Sequence, residues 1–412
     1  MKTLALSLAV AIGASTLAHA GDSGLTYRIV GTGQNGFYGN TGGISRPGKG
    51  GRYYGQDAQY EKTGPHYVDN GDGTVTDTIT GLIWEKGFHR TSWSGAADIA
   101  ATARTGGRND WRVPTIKELY SLMLFTGNQG SGPPESPYPP GDAVPFLEMS
   151  AFDFEYPNEN RYIDAQYLTK TRYVSQVMGE ADCFFGVNFA DGRIKCYPVS
   201  PREGPNYPRY YVRLVRGNSA YGKNKFVDNG DDTVTDRATG LMWAKVDSGN
   251  AVFRKAIAAS ANRDGSLNWQ EALAFAENLN FAGHDDWRLP DAKELHSIVD
   301  YSRSPDTTGS AAIDPVFQVT PIRNEAGVAD FPGYWSSTSF RPGRDAVSIF
   351  FGRALGYFSP VPWQRRQFLD VHGAGAQRTD PKSGQAGYGH GPQGDTRRPY
   401  NYVRVVRTVS TK

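Results

Sequence analysis

Polar and apolar positions alternate along residues 67–86, YVDNGDGTVTDTITGLIWEK, where Val, Thr, Ile and Trp are set against Asp, Asn and Gly. The alternation predicts a strand running to Asp69, a turn over 70–73, a return over 74–77, a second turn at Thr80-Gly81 and a strand at Leu82-Ile83-Trp84. Residues 226–245, FVDNGDDTVTDRATGLMWAK, repeat both the pattern and the letters. Further along, Trp269, Ala272, Leu273, Ala276 and Leu279 recur at helical spacing and predict a helix from Trp269, with a counterpart beginning near Trp93. A second helix follows NDWRVPTIKEL at 109–119 and DDWRLPDAKEL at 285–295. Thr115 with Glu118, and Asp291 with Glu294, read as capping boxes. Leu119, Leu122 and Met123 then form one buried face, and Leu295, Ile298 and Val299 the other. YYVRLVR at 210–216 and YNYVRVVR at 400–407 read as closing strands.

The chain is therefore a duplication. Asp69 and Asp228 stand 159 positions apart, and so do Trp84 and Trp243. Trp93 and Trp269 stand 176 apart, as do Trp111 and Trp287. One insertion of 17 residues (176 − 159) reconciles the offsets, and 246–268 is expected to be an exposed excursion. The period is far longer than the roughly 20–50 residues of solenoid units. The second halves diverge, with Tyr173-Val174-Ser175 set against Tyr334-Trp335-Ser336.

The first 20 residues carry Lys2, an apolar run and Ala18-His19-Ala20, the pattern of a signal peptide. The expected division is 1–20 signal peptide, 21–66 Gly-rich leader, 67–217 first copy, 218–225 linker and 226–407 second copy. The leader is expected to drape over the first copy. Export places the protein in the periplasm, on the outer surface or in the medium. Cys183 and Cys196, the only cysteines, are then expected to pair. A two-residue turn at Asp191-Gly192 would set Cys183 opposite residue 200, so the bridge needs a longer loop or a bulge. No later run is apolar enough for a transmembrane segment.

Net charge is +2, or +1 without Lys2, which argues against nucleic acid as a partner. GTGQNG at 31–36 follows a short strand but lacks the helix that a dinucleotide site requires. The seven His form no HExxH, and no Ser stands in G-x-S-x-G, so an enzyme is not expected. Asp69, Asp72 and Asp77, with Asp228, Asp231 and Asp236, leave two readings open: calcium ligands, or Asn/Asp-Gly turn chemistry. Trp111-Arg112, Trp287-Arg288, Arg213 and Arg404 leave two readings open, a surface that stacks on or binds a ligand, or, the reading preferred, core, each Arg held by a nearby carboxylate. In the second copy Arg353, Arg365, Arg366, Arg397 and Arg398 crowd the loops, and guanidinium forks suit sulfate, phosphate or carboxylate. These five are the candidate ligand residues.

DNGDGTVTD, TGLIW, DWRVPTIKEL and YVRLVR, repeated as DNGDDTVTD, TGLMW, DWRLPDAKEL, YWSST and YVRVVR, resemble the Lcl C-terminal domain family. The family takes its name from a collagen-like bacterial surface adhesin. The resemblance implies an α+β fold: two tandem C-type-lectin-like domains, each a small twisted antiparallel sheet with two helices and long loops, similar to formylglycine-generating enzymes. It also implies extracellular binding, the adhesin's ligand being sulfated polysaccharide. The adhesin's collagen repeat is missing here, and so are the Glu-Pro-Asn and Trp-Asn-Asp signatures of calcium lectins. The expected function is a secreted or cell-surface binding protein or adhesin for anionic or other polysaccharide, with no required cofactor. The alternative is an assembly component of a bacterial cell-surface complex.

Overall fold

The computed structural model describes residues 24–60, 62–158, 161–199, 210–257, 262–361 and 363–409. The expected signal peptide lies outside the described residues. Both predicted hairpins form. Tyr67–Asp69, Thr74–Asp77 and Leu82–Glu85 pair in sequence, and Phe226–Asp228, Thr233–Asp236 and Leu241–Ala244 repeat them. The closing strands complete each small sheet, Val215–Gly217 against Leu82–Glu85 and Val406–Thr408 against Leu241–Ala244. Trp84 lies opposite Val75 and Trp243 opposite Val234, all four fully buried. The tryptophans of the two copies thus stand in one environment, met twice.

The helices start where their caps predict. Thr115 and Glu118 close a capping box on Ile116–Tyr120, and Asp291 and Glu294 one on Ala292–Ser297. Asn268 and Glu271 do the same for Trp269–Glu277, whereas Ala96–Thr102 has no side-chain cap. Strands outweigh helices, and the architecture is α+β.

One eight-stranded sheet runs through both copies. Gly333–Phe340, Asp345–Phe350 and Gln377–Pro381 continue into Arg193–Pro198, Ala181–Asn188, Gln166–Val177, Tyr210–Val212 and His89–Thr91. The junction is a single antiparallel pair, Gln377 with Ile194. These two are equivalent positions. Thr169 Oγ1 donates to Phe185 O as Ser336 Oγ donates to Val347 O. Phe185 pairs with Cys196 and Val347 with Thr379, and two residues back along those partner strands lie Ile194 and Gln377. The sheet therefore crosses between the copies on their own local dyad.

The same bonds correct the expected correspondence of the second halves. Trp93 Nε1 donates to Thr169 O, and Trp269 Nε1 to Ser336 O. Tyr334-Trp335-Ser336 therefore matches Tyr167-Leu168-Thr169, six residues before the Tyr-Val-Ser that sequence similarity suggests.

Three expectations about connecting segments are corrected. The leader lies chiefly on the second copy: Tyr53 stacks on Trp269 at 6.3 Å, and Gln34 makes two hydrogen bonds to the Ser339 backbone. Within 218–225, Tyr221 is buried and packs on Tyr27 at 4.8 Å, so the linker is anchored in the core at that one residue, while Ser219, Lys223 and Lys225 are exposed. The insertion 246–268 buries Val246, Phe253 and Leu267, because Phe253 covers the helix Trp269–Glu277 through Phe275.

Cys183 and Cys196 are bridged, with Cα atoms 5.5 Å apart. The turn between paired Asn188 and Arg193 has four residues rather than two, which sets Cys183 opposite Pro198 and Cys196 opposite Phe185. The bridge crosses the two strands diagonally.

Candidate functional site

The second copy adds an outer four-stranded sheet of Leu355–Phe358, Gln367–Asp370, Gly387–His390 and Asp395–Arg397. Tyr357 faces Phe368 across the first pair, and Tyr388 closes on both, with ring centroids 5.0–5.2 Å apart. The connection between Phe358 and Gln367 carries Trp363, 84% exposed, followed by exposed Arg365 and Arg366. Neither arginine has an ion pair or side-chain hydrogen bond among the described residues.

The other three expected ligand arginines are engaged internally. Arg353 grips Asp306 with Nε at 3.0 Å and Nη2 at 2.6 Å, and its Nη1 donates to Ala329 O. Arg397 Nη2 donates to Asp345 at 2.6 Å. Arg398 holds Glu325 through Nε and Nη2, both at 2.6 Å, and lies over the Phe350 ring. Bidentate pairs of this kind consume the donors that a sulfate or carboxylate needs. The five arginines therefore do not form one patch; two remain available, at the hairpin tip. Trp363 and Tyr388, which stand there too, fall in the sequence within 362–399, which reads as one long polar loop rather than as strands. The signal was a Trp two residues from an Arg pair.

The six aspartates do turn work. Asp69 accepts from Gly71 N at 3.0 Å and from Lys86 Nζ at 2.6 Å; Asp228 accepts from Gly230 N and Lys245 Nζ. Asp72 accepts from Thr74 N and Oγ1, and Asp231 from Thr233 N and Oγ1. Asp77 accepts from the amides of Ile79 and Thr80, and Asp236 from those of Lys225 and Ala238. Among the described residues no three His, Cys, Asp or Glu side chains gather as a metal cluster.

Trp111 and Trp287 are buried, and their Arg neighbours meet carboxylates as expected: Arg112 Nη1 on Glu118 at 2.7 Å, Arg288 bidentate on Glu294 at 2.6 and 2.7 Å. Arg213 and Arg404 depart from expectation. Both are fully buried and are held mainly by backbone carbonyls. Arg213 Nη1 donates to the carbonyls of Glu85 and Gly87, and Nη2 to that of Asp153. Arg404 donates to the carbonyls of Ala244, Lys245 and Gln318, with Asp247 at 3.8 Å. These cations tie the closing strand to the hairpin sheet.

No helix among the described residues is long and apolar enough to cross a membrane. No curated protein and no solved structure matches the chain. The profile of the Lcl C-terminal domain family matches residues 73–216 and again 232–368, the two copies in tandem, and the chain belongs to that family.

Proposed function

We propose that the protein is a secreted or cell-surface binding protein built of two C-type-lectin-like domains, and that its second copy takes an anionic polysaccharide on the outer hairpin. The observation that carries this reading is Trp363 standing 84% exposed beside two unengaged arginines. Burying a large apolar side chain stabilises a fold by roughly 1.5–3 kcal/mol, which an exposed Trp forgoes. Its flat face suits the C–H face of a sugar ring, and the neighbouring guanidinium forks suit sulfate or uronate groups. The Tyr357, Phe368 and Tyr388 cluster stiffens the strands below.

Heparin-column retention tests this. Wild type should be retained and should elute as salt rises, because the Debye length falls from about 10 Å at 0.1 M to about 3 Å at 1 M. The variant Trp363→Ala/Arg365→Ala/Arg366→Ala should pass through with an unchanged circular dichroism spectrum. Equal retention of the two proteins would overturn the reading.

A further inference from the structure

The leader fills a groove in the second copy. Gly31 N donates to Thr63 O at 2.8 Å and closes an excursion spanning residues 32–62. Asp57 is buried in that groove and accepts from Thr338 Oγ1 at 2.6 Å. Tyr60 lies under the Arg288 guanidinium at 5.5 Å, and Lys62 Nζ reaches Asp291 and Glu294.

The first copy has the same groove. Thr171 Oγ1 accepts from Ile116 N as Thr338 Oγ1 accepts from Ala292 N, and Lys170 N donates to Pro114 O as Ser337 N donates to Pro290 O. Thr171, Lys170, Thr115 and Arg112 thus stand where Thr338, Ser337, Asp291 and Arg288 stand in the second copy. Here none of the described residues fills it as the leader does in the second copy. The linker runs from Tyr221 to Phe226 with no excursion, and an open cleft of about 680 Å³ remains. Its far wall includes Asp300 and Asp314, whose Oδ1 atoms accept from Ser302 N and Val316 N.

The lining differs in charge. On the near wall Asp291 is replaced by Thr115 and Ser337 by Lys170, a change of +2, and Lys223 adds a cation at the rim; on the far wall Asp300 stands where the filled groove has Leu124, which takes one unit back. One nitrogen of Arg112, Nη2, is buried without a partner, whereas both terminal nitrogens of Arg288 are bonded to Glu294. Thr171 Oγ1 has no acceptor for its proton among the described residues, where Thr338 has Asp57.

We infer that this cleft binds an extended acidic peptide segment of another polypeptide, seated as the leader is seated in the second copy. One carboxylate accepts from Thr171 Oγ1 as Asp57 accepts from Thr338 Oγ1, an aromatic ring lies under Arg112 as Tyr60 lies under Arg288, and a further carboxylate meets the exposed Lys170 and Lys223 at the rim. The leader of a second copy is a poor occupant, since it is already seated in the groove of its own chain.

The probe is a fluorescein-labelled synthetic peptide with the sequence of residues 53–63, which carries Asp57 and Tyr60, titrated by anisotropy against the full chain. Saturable binding is expected. Lys170→Glu/Lys223→Glu, two exposed positions, should weaken it at least tenfold with the circular dichroism spectrum unchanged, and the same peptide carrying Asp57→Asn should bind at least tenfold more weakly. The hairpin variant Trp363→Ala/Arg365→Ala/Arg366→Ala should bind the peptide like wild type, which separates this site from the polysaccharide site. Absence of binding, or equal binding by the two peptides, would overturn the inference. So would indifference to the charge reversals, competition by heparin in the hairpin variant, or a wild-type dimer that the reversals dissociate.

Discussion

Lys117 and Lys293 occupy one position of the two copies, and each reaches into the other: Lys117 Nζ donates to Ser297 O and Lys293 Nζ to Ser121 O, both at 2.7 Å. Ser121 and Ser297 are themselves equivalent residues, so the contact is reciprocal. The short helices Ile116–Tyr120 and Ala292–Ser297 are joined as in an isologous dimer whose subunits share one chain.

That pairing has a pH signature. Burial lowers both lysines to about 8, against the opposing pull of nearby aspartates. A lysine whose folded pKa is depressed binds fewer protons folded than unfolded between the two values, so stability rises with pH there. Thermal melts should show the Tm climbing from pH 8 to about 10. Lys382, buried and lowered, acts in the same direction. Above pH 10 buried tyrosines with raised values, Tyr120 and Tyr301 among them, turn the trend over. Lys117→Met/Lys293→Met should flatten the rise; an identical slope would refute the assignment.

The disulfide gives a second prediction. Cys183 and Cys196 are 13 residues apart, and closing a loop of that order stabilises by roughly 3 kcal/mol on the chain-entropy argument. Cys183→Ala/Cys196→Ala should lower the urea midpoint without abolishing the fold, because the same strands are also held by a six-pair ladder. Protein from the native compartment should resist alkylation until it is reduced.

Much of this fold was legible because its signals are local. Asp-Gly turns, capping boxes and the Trp spacing each act within a few residues. The continuous sheet was not legible, since it rests on one pairing of Ile194 with Gln377, 183 positions apart. The arginines misled for the same reason. Arg353, Arg397 and Arg398 find carboxylates 47, 52 and 73 positions away, and no spacing rule announces such partners. In the leader, frequent glycines concealed the buried Thr32, Gln56 and Asp57 that anchor it.

A third prediction contrasts two arginines. Arg404→Met removes a buried cation, leaves the Ala244 and Gln318 carbonyls without donors and strands the buried Asp247 carboxylate, which should cost about 3–5 kcal/mol. Arg172→Met breaks an exposed pair with Asp182 and should cost about 0–1 kcal/mol. Urea denaturation followed by fluorescence measures both. Equal losses would mean that Arg404 is not the tie between closing strand and hairpin.

The last prediction concerns the leader's hold on the second copy. Lys62 is raised because Asp291, Glu294 and Asp57 together outweigh the cost of its burial. Asp291 is raised to about 6, by burial first and by Glu294 second, while Lys62 opposes the rise. Lys62→Met removes that opposition and moves Asp291 further up. A carboxylate with a raised folded value contributes stability at low pH that is lost as pH rises through that value. The variant should therefore hold its leader at pH 5.5 and release it near pH 8, while wild type holds it at both. Amide exchange over residues 30–63 measures the release directly. Protection should fall in the variant at pH 8 and recover at pH 5.5, with the protection of Leu241–Ala244 unchanged throughout. Protection equal to wild type at pH 8 would show that Asp57, Gln34 and the stacked Tyr53 seat the leader without Lys62.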